Sequence, residues 1–362
     1  MVHADAVVTG DGPALRDGAV VVGSGSAIVD VGPAADVLPR HAGLSVERVR
    51  GALLPGLVNA HTHLELSALR GKVPGGAGFV PWVEHLIGAR IEVQPEEDAR
   101  AIEDAVAELD ACGTAAVGEV TNSLAAVHAL ARRGFAGVVF HEVFGIEREP
   151  LEARVDGLAR AVEERVGTWP TPGLGYAPSP HTLYTTHAEV VRRLAREARD
   201  RGVRAALHLS EHAAERSFLE RGQGPIPAWF QARLKFPRER LTWPGKSPVA
   251  LADALGALGP HVVGVHLTDA RPDELELVAR RGSSVVFCPR SNLFIDMRLP
   301  PLHAARSAGI FPALGTDSLA SNASLDVLAE ARALADRFPS VPALDLVRMA
   351  TWEGALALGC PD

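Results

Sequence analysis

The sequence predicts an α/β chain: a (β/α)8 barrel of the TIM type over residues 53–362, preceded by a small β element, a partial β-sandwich, over residues 1–52. Three observations carry this. Apolar, β-rich runs at 53–61, 114–121, 135–143, 173–178, 203–209, 261–267, 283–288 and 311–316 alternate with helical stretches, the pattern of parallel strands joined by helical crossovers. Polar residues recur at the carboxyl ends of these runs, where a barrel builds its active site. The span from His61 to Asp317 is also close to the ~250 residues typical of that fold. A doubly wound open sheet is the competing architecture, and the placement of the polar residues favours the barrel. No repeat at a fixed short period exists, which argues against a solenoid.

Residues 1–52 alternate short Val-rich runs with turns. Asp5–Thr9 ends at Asp11-Gly12, Ala19–Val22 ends at Gly23-Ser24-Gly25, and Ile28–Val31 follows. This is hairpin chemistry. The helix at 95–112 opens with Pro95-Glu96-Glu97-Asp98, carboxylates at the positive end of the helix dipole. It stripes Ile102, Val106 and Leu109 on one face and stops at Gly113. Residues 188–201 stripe Val190, Val191, Leu194 and Ala198 before Gly202; residues 271–281 stripe Leu275, Val278 and Ala279 before Gly282. After His208-Leu209-Ser210-Glu211 about 35 residues pass before the helix near Ser247-Pro248, an unusually long connection. It holds Trp229, Phe230, Phe236 and Trp243, and reads equally as a lid or substrate wall and as a surface elaboration or dimer contact. A last helix is expected at 343–358.

Composition narrows the function. The chain is 47% hydrophobic and 22% charged, ordinary for a globular protein. A net charge of −8 and a pI near 6.0 argue against nucleic acid or an anionic membrane as partner. Cys112, Cys288 and Cys360 are odd in number and far apart, so neither a disulfide framework nor a thiolate zinc site is indicated. The amino terminus lacks a basic segment followed by an apolar run, and no uncharged stretch reaches membrane-spanning length. A cytoplasmic protein is expected.

The stretch Leu53-Leu54-Pro55-Gly56-Leu57-Val58-Asn59-Ala60-His61-Thr62-His63-Leu64-Glu65 organises the rest. Side chains alternate faces along a strand, so His61 and His63 point the same way, as a divalent metal would require. Further along, the fifth run ends in His208 with Glu211 three residues on, the sixth in His266, and the eighth runs into Asp317. A lone histidine at a strand end is usually structural. Six groups of this type at such ends are hard to explain that way.

The sequence resembles the metal-dependent amidohydrolase superfamily, in its nucleobase and triazine deaminase and chlorohydrolase branch. The matching pieces are Pro55–His63, His208-Leu209-Ser210-Glu211, Val265-His266-Leu267, Cys288-Pro289-Arg290-Ser291-Asn292 and Leu314-Gly315-Thr316-Asp317-Ser318. The resemblance implies that His61, His63, His208 and Asp317 bind one divalent metal ion, Zn2+ ahead of Fe2+, while Glu211, His266 and Asp317 are catalytic. Binuclear members carry a modified lysine at the end of strand four; Gly173–His181 holds no lysine, so a single metal is expected. Three imidazoles, one carboxylate and an open position suit zinc, which can lower the pKa of a water from about 15.7 to about 7. Glu211 would protonate the ring nitrogen beside the attacked carbon, which needs a raised pKa; its alternative role is to orient His208.

Four positions are candidates for substrate binding. His181 resembles a substrate-contacting histidine of nucleoside-handling relatives, with a loop-capping role as its alternative. Glu65 shares the face of His61 and His63. Arg290 would lie at the mouth, where a guanidinium can hold a carboxylate bidentately. Trp82 would stack on a ring or pack the first loop. The run His63–Ser67 followed by Gly78–Trp82 is similar to the group that includes aminodeoxyfutalosine deaminases. Relatives continue past the last helix into strands that complete the small β-sandwich, whereas this chain ends at Gly359-Cys360-Pro361-Asp362; a truncated or reduced β element is expected.

The expected function is hydrolytic deamination of a 6-aminopurine nucleoside-like substrate. The alternatives are a chlorohydrolase or amine-releasing hydrolase of triazines and other heterocycles, and an inactive metal-bound binding protein. The expected partner is a small heterocycle, with no nucleic acid, no membrane and a possible homodimer.

Overall fold

The computed structural model describes residues 1–10, 12–25 and 27–360, so Asp11 of the first expected turn and the final Pro361 and Asp362 lie outside it. The chain opens with β1 (Val2–Val7), β2 (Leu15–Val22), β3 (Ile28–Pro33) and β4 (Glu47–Leu53). They form one sheet in the order β3-β2-β1-β4, with β1 antiparallel to β2 and parallel to β4. The expected partial sandwich is, among the described residues, this single sheet backed by the helix Ala34–Arg40, whose Ala34 and Val37 pack on Ala19 and Val21. β4 escaped the sequence reading because it is charged and exposed. Arg48 pairs with Asp5 of β1 at 2.7 Å, and Gly51 N donates to the same carboxylate, so polar groups hold that edge.

Eight further strands follow, at the positions the apolar runs predict: β5 (Leu57–Thr62), β6 (Thr114–Thr121), β7 (Ala136–Val143), β8 (Leu174–Pro180), β9 (Ala205–Leu209), β10 (Val262–His266), β11 (Ser284–Phe287) and β12 (Ala313–Leu314). The mixed α/β expectation holds. The strands pair in parallel as two four-stranded sheets, β5-β6-β7-β8 and β9-β10-β11-β12. Their outer edges come together at both ends. Asp317 N, just past β12, donates to His61 O of β5 at 3.0 Å; His208 N of β9 donates to His181 O, just past β8, at 3.0 Å. One apolar cluster takes Val58, Ala116, Phe140, Ala177, Ala206, Val263, Val286 and Ala313, a side chain from each of the eight strands.

A glycine makes the first junction possible. A Cβ on Gly315 would lie 2.7 Å from His61 Cβ and 2.8 Å from its backbone nitrogen. Without it, Asp317 could not be brought against His61.

The helices run as the periodicity predicts at Pro95–Ala111, Ala188–Arg201 and Pro272–Arg281. Ala188–Arg201 buries Val190, Val191, Leu194, Ala195 and Ala198 on one face and ends at Gly202 in the left-handed region (φ 67). Two expectations need correction. The long connection after β9 is not loop throughout: it contains the helices Ala213–Arg221 and Pro225–Leu234. His212 caps the first by accepting from Glu215 N, and Pro225 starts the second, local signals hidden by the segment's mixed composition. The last helix is two, Ala343–Met349 and Trp352–Leu358, broken at Thr351, whose hydroxyl donates back to Val347 O at 2.8 Å. Among the described residues no helix is long and apolar enough to cross a membrane.

Candidate active site

The site lies where the carboxyl ends of β5, β9, β10 and β12 meet. Several residues there occupy the left-handed region that side chains rarely adopt: Ser210 (φ 51), His266 (φ 75), Leu267 (φ 48) and Asp317 (φ 57). Such strain costs of order 1–3 kcal/mol per residue and persists only where the surroundings impose it, as at active sites. Of these, His266 and Asp317 contribute side chains to the site.

Three imidazoles converge. His61 Nε2 lies 3.2 Å from His63 Nε2, which lies 3.3 Å from His208 Nε2. Asp317 Oδ1 is 3.8 Å from His61 Nε2 and 3.7 Å from His63 Nε2. Four donors around a zinc at about 2.0–2.1 Å sit about 3.3 Å apart along the edges of a tetrahedron. The His61–His63 and His63–His208 nitrogen pairs meet that spacing.

Protonation agrees with the geometry. His208 Nδ1 faces two acceptors, His181 O at 3.2 Å and Glu142 Oε1 at 3.3 Å, so Nδ1 carries the hydrogen and Nε2 presents a lone pair. Burial pulls His61 well below its usual range and His208 down to about 3, so both rings are neutral, as a metal requires. Burial would raise Asp317, but the charges of His63 and His266 and the Ser291 hydroxyl outweigh it and hold the carboxyl low. Its Oδ2 accepts from Ser291 Oγ at 2.5 Å and Ser321 Oγ at 3.3 Å, and Oδ1 accepts from Ser318 N at 2.7 Å.

Beside this cluster stands a second pair. His266 Nε2 is 3.7 Å from Glu211 Oε1, and the Asn292 amide is 3.2 Å from His266 Nδ1. Burial, reinforced by the charges of Asp317 and Glu215, holds Glu211 well above the ordinary carboxyl range. That shift favours its protonated form and suits it to donate a proton. Burial brings His266 down to about 4, which leaves it neutral.

The four candidate substrate residues divide. His181 is half-buried next to the cluster, its ring 5.0 Å from that of His208, with Nδ1 held by Thr185 Oγ1 at 2.6 Å. Glu65 is not free for a ligand. Its oxygens accept from Thr121 Oγ1, Asn122 N and the amide and hydroxyl of Ser123, so it ties down the loop after β6. Trp82 is buried among Leu69, Val73, Ile295 and Ala320, with its N–H toward Ala320 O at 3.4 Å, so it packs the first loop. Arg290 is engaged by Ser324 Oγ at 2.9 Å, with buried Glu330 at 3.8 Å.

Glu142 was missed by the sequence reading. The run 135–143 ends in His141-Glu142-Val143, the same strand-end signal that marked the histidines, but without a motif around it. Ser291 and Asn292 sit inside a quoted motif, yet their roles as partners of Asp317 and His266 needed the fold. Phe79 is a further such residue: its ring stacks on His212, next to Glu211, at 4.0 Å.

Known proteins resemble this chain along nearly its whole length. An aminodeoxyfutalosine deaminase of Deinococcus radiodurans is 30% identical over 364 residues, which cover 98% of this chain and 84% of that protein. Helicobacter pylori aminofutalosine deaminase, solved in complex with methylthio-coformycin, superposes with a TM-score of 0.87 at 24% identity, covering 99% of this chain and 87% of the other. An adenosine deaminase from Xanthomonas campestris with bound zinc superposes with a TM-score of 0.76 at 28% identity, covering 100% and 80%. Residues 52–362 match the Amidohydrolase family, and the chain belongs to it.

Proposed function

We propose that the protein is a mononuclear metal-dependent deaminase of a 6-aminopurine nucleoside-like compound, built on a closed (β/α)8 barrel. The barrel reading rests on the junctions at Asp317–His61 and His208–His181. His61, His63 and Asp317 offer ligand atoms within 4.8 Å of one another and His208 Nε2 lies 3.3 Å from His63 Nε2, so these four would hold one ion, with zinc favoured by the zinc-bound adenosine deaminase that this chain resembles. When bound, such an ion acts as a Lewis acid that activates water near neutral pH.

The observation that carries the reading is buried Glu211 facing His266 across 3.7 Å, next to the converging imidazoles. Glu211 gives its proton to the ring nitrogen adjacent to the amino-bearing carbon, which makes that carbon electrophilic. Asp317, kept ionised, accepts a proton from the attacking water, and neutral His266 holds that water in line. Asp317 passes that proton to the amine, the C–N bond breaks to release ammonia, and the hydroxyl proton of the adduct returns to Glu211 as the carbonyl forms. An electron-poor ring carbon beside a basic nitrogen, as in adenine, is what this arrangement suits.

Aminodeoxyfutalosine is the leading substrate, followed by adenosine and its thio- and homocysteine-linked derivatives; the deaminases named above support that order. The test is ammonia release by the metal-loaded enzyme across this set, beside guanine, cytosine and a chlorotriazine. Turnover of nucleosides is expected. Turnover of a bare base alone overturns the nucleoside reading, and chloride release from the triazine alone overturns deamination. The cytoplasmic compartment and the homodimer belong to the same proposal and rest on the sequence.

A further inference from the structure

Just after Glu211 the helix Ala213–Arg221 begins, and two neighbouring side chains near its start, Glu215 and Arg216, are both buried. A glutamate at the third helical position ordinarily reaches back to the amide of the capping residue. The cap here is His212, yet Glu215 reaches further: its Oε2 accepts from Glu211 N at 2.9 Å and its Oε1 from Ser210 N at 3.2 Å. Both carboxylate oxygens are thus spent on the peptide groups of the acid and of the residue before it. Ser210 needs such a hold, since it occupies the left-handed region. Its carbonyl in turn accepts from Asp269 N at 2.8 Å.

Asp269 stands in the turn that follows β10, a few residues past His266. Arg216 grips that turn. Its Nε donates to Asp269 Oδ2 at 2.6 Å and its Nη2 to Asp269 O at 2.7 Å. The same guanidinium donates to buried Glu274 of the helix Pro272–Arg281, from Nη1 to Oε1 at 2.9 Å and from Nη2 to Oε2 at 2.7 Å. A planar fork with fixed donor directions sets the separation of the groups it holds, which a lysine cannot do. A buried network satisfied in this way is rigid. The strained turns behind Glu211 and behind His266 are therefore tied to one short stretch of helix.

We propose that Glu215 and Arg216 are positioning residues for the reaction: together they brace the loop after β9 against the turn after β10, and so hold the Glu211 carboxyl 3.7 Å from His266. Each acts through the peptide chain of a residue that does the chemistry. Glu211 has to meet a ring nitrogen while His266 holds the attacking water, and a misplacement of about 1 Å can cost ~10²-fold in rate. The inference rests on the deaminase reading of the site and adds the residues that set its geometry.

The test pairs amide hydrogen exchange with steady-state ammonia release by the metal-loaded enzyme. In the wild type the Ser210 and Glu211 amides should be protected. In Glu215→Gln they should exchange at least about tenfold faster, the scale of one lost charged hydrogen bond, because a carboxamide turns its own N–H toward one of the two donors. On the preferred nucleoside kcat should fall at least about tenfold, while KM stays within about twofold and metal content by elemental analysis stays at the wild-type level. Arg216→Lys, which keeps the charge and gives up the fork, should lower kcat in the same way, and it carries the test if Glu215→Gln does not fold. Added to Glu211→Gln, either substitution should cost little more, since the group it positions is gone; a general loosening of the fold would multiply the losses. Unprotected amides in the wild type, kcat unchanged in both variants, or losses that multiply overturn the proposal while leaving deamination intact. A wild type that protects both amides, loses that protection in Glu215→Gln and releases no ammonia from any nucleoside would sink deamination and support the brace.

Discussion

At the scale of single residues, the chemistry divides between groups that hold and groups that transfer. His61 and His208 present neutral lone pairs because burial removes their charge, and the His181 carbonyl facing His208 Nδ1 fixes the tautomer of that ring. Glu211 is different: the same burial favours its protonated form. Glu211→Gln preserves shape and removes only the exchangeable proton. Metal content by elemental analysis should stay at the wild-type level, while kcat falls by at least ~10²-fold, the low end of general acid–base contributions. Retained turnover would reduce Glu211 to an orienting group. The ligand and catalytic candidates were legible because each sits at the end of an apolar run, where period and chemistry coincide. Glu65 and Arg290 carried the right chemistry but met partners from distant segments, Ser123 and Glu330, that no spacing in the sequence announces.

At the scale of elements, the strands were legible because eight parallel strands buried on both faces must be apolar throughout. β12 is only two residues long, yet its run carried Gly315 and Asp317 into place. Gly315→Ala tests that placement. A Cβ 2.8 Å from the His61 backbone nitrogen must push β12 away from β5 and draw Asp317 from His61 and His63. Overpacking of this kind costs about 1–3 kcal/mol, and metal affinity by competition with a chelator should fall more than about tenfold. Unchanged affinity would show that the junction adapts. The helices after β11 and β12 are joined by buried Glu330, which accepts from Arg290 N and Asn322 Nδ2. Burial pushes Glu330 up to about 8 from its usual 4.5, so the folded state favours its protonated form. Its contribution is fully present below about 4.5 and is lost as the pH rises through about 8. Glu330→Gln should therefore flatten the fall of Tm over that window, read by thermal denaturation at a series of pH values. A wild-type Tm that rises over the window would contradict the assignment.

At the scale of the whole molecule, the ligand candidates are drawn from both four-stranded sheets: His61 and His63 from the first, His208 and Asp317 from the second. Backbone hydrogen bonds join the sheets at two places, and each lies beside a ligand candidate, at His61–Asp317 and at His181–His208. The sequence showed the strands but not this division, since pairing order and closure are properties of the assembled sheet. An ion bound to all four side chains would cross-link the two halves where their edges meet. Binding to the folded state alone stabilises by RT ln(1 + [L]/Kd), about 2.7 kcal/mol at a hundredfold excess over Kd. Unfolding entropy scales with chain length, so for a chain of this size that free energy raises Tm by about 3–4 °C. Stripped protein titrated with zinc should show this rise and saturate at one ion per chain by elemental analysis. In His208→Ala the rise should vanish together with activity, because one side chain from the second sheet has been removed from the cross-link. Saturation at two ions per chain, or a full rise in His208→Ala, would refute the single site shared between the sheets.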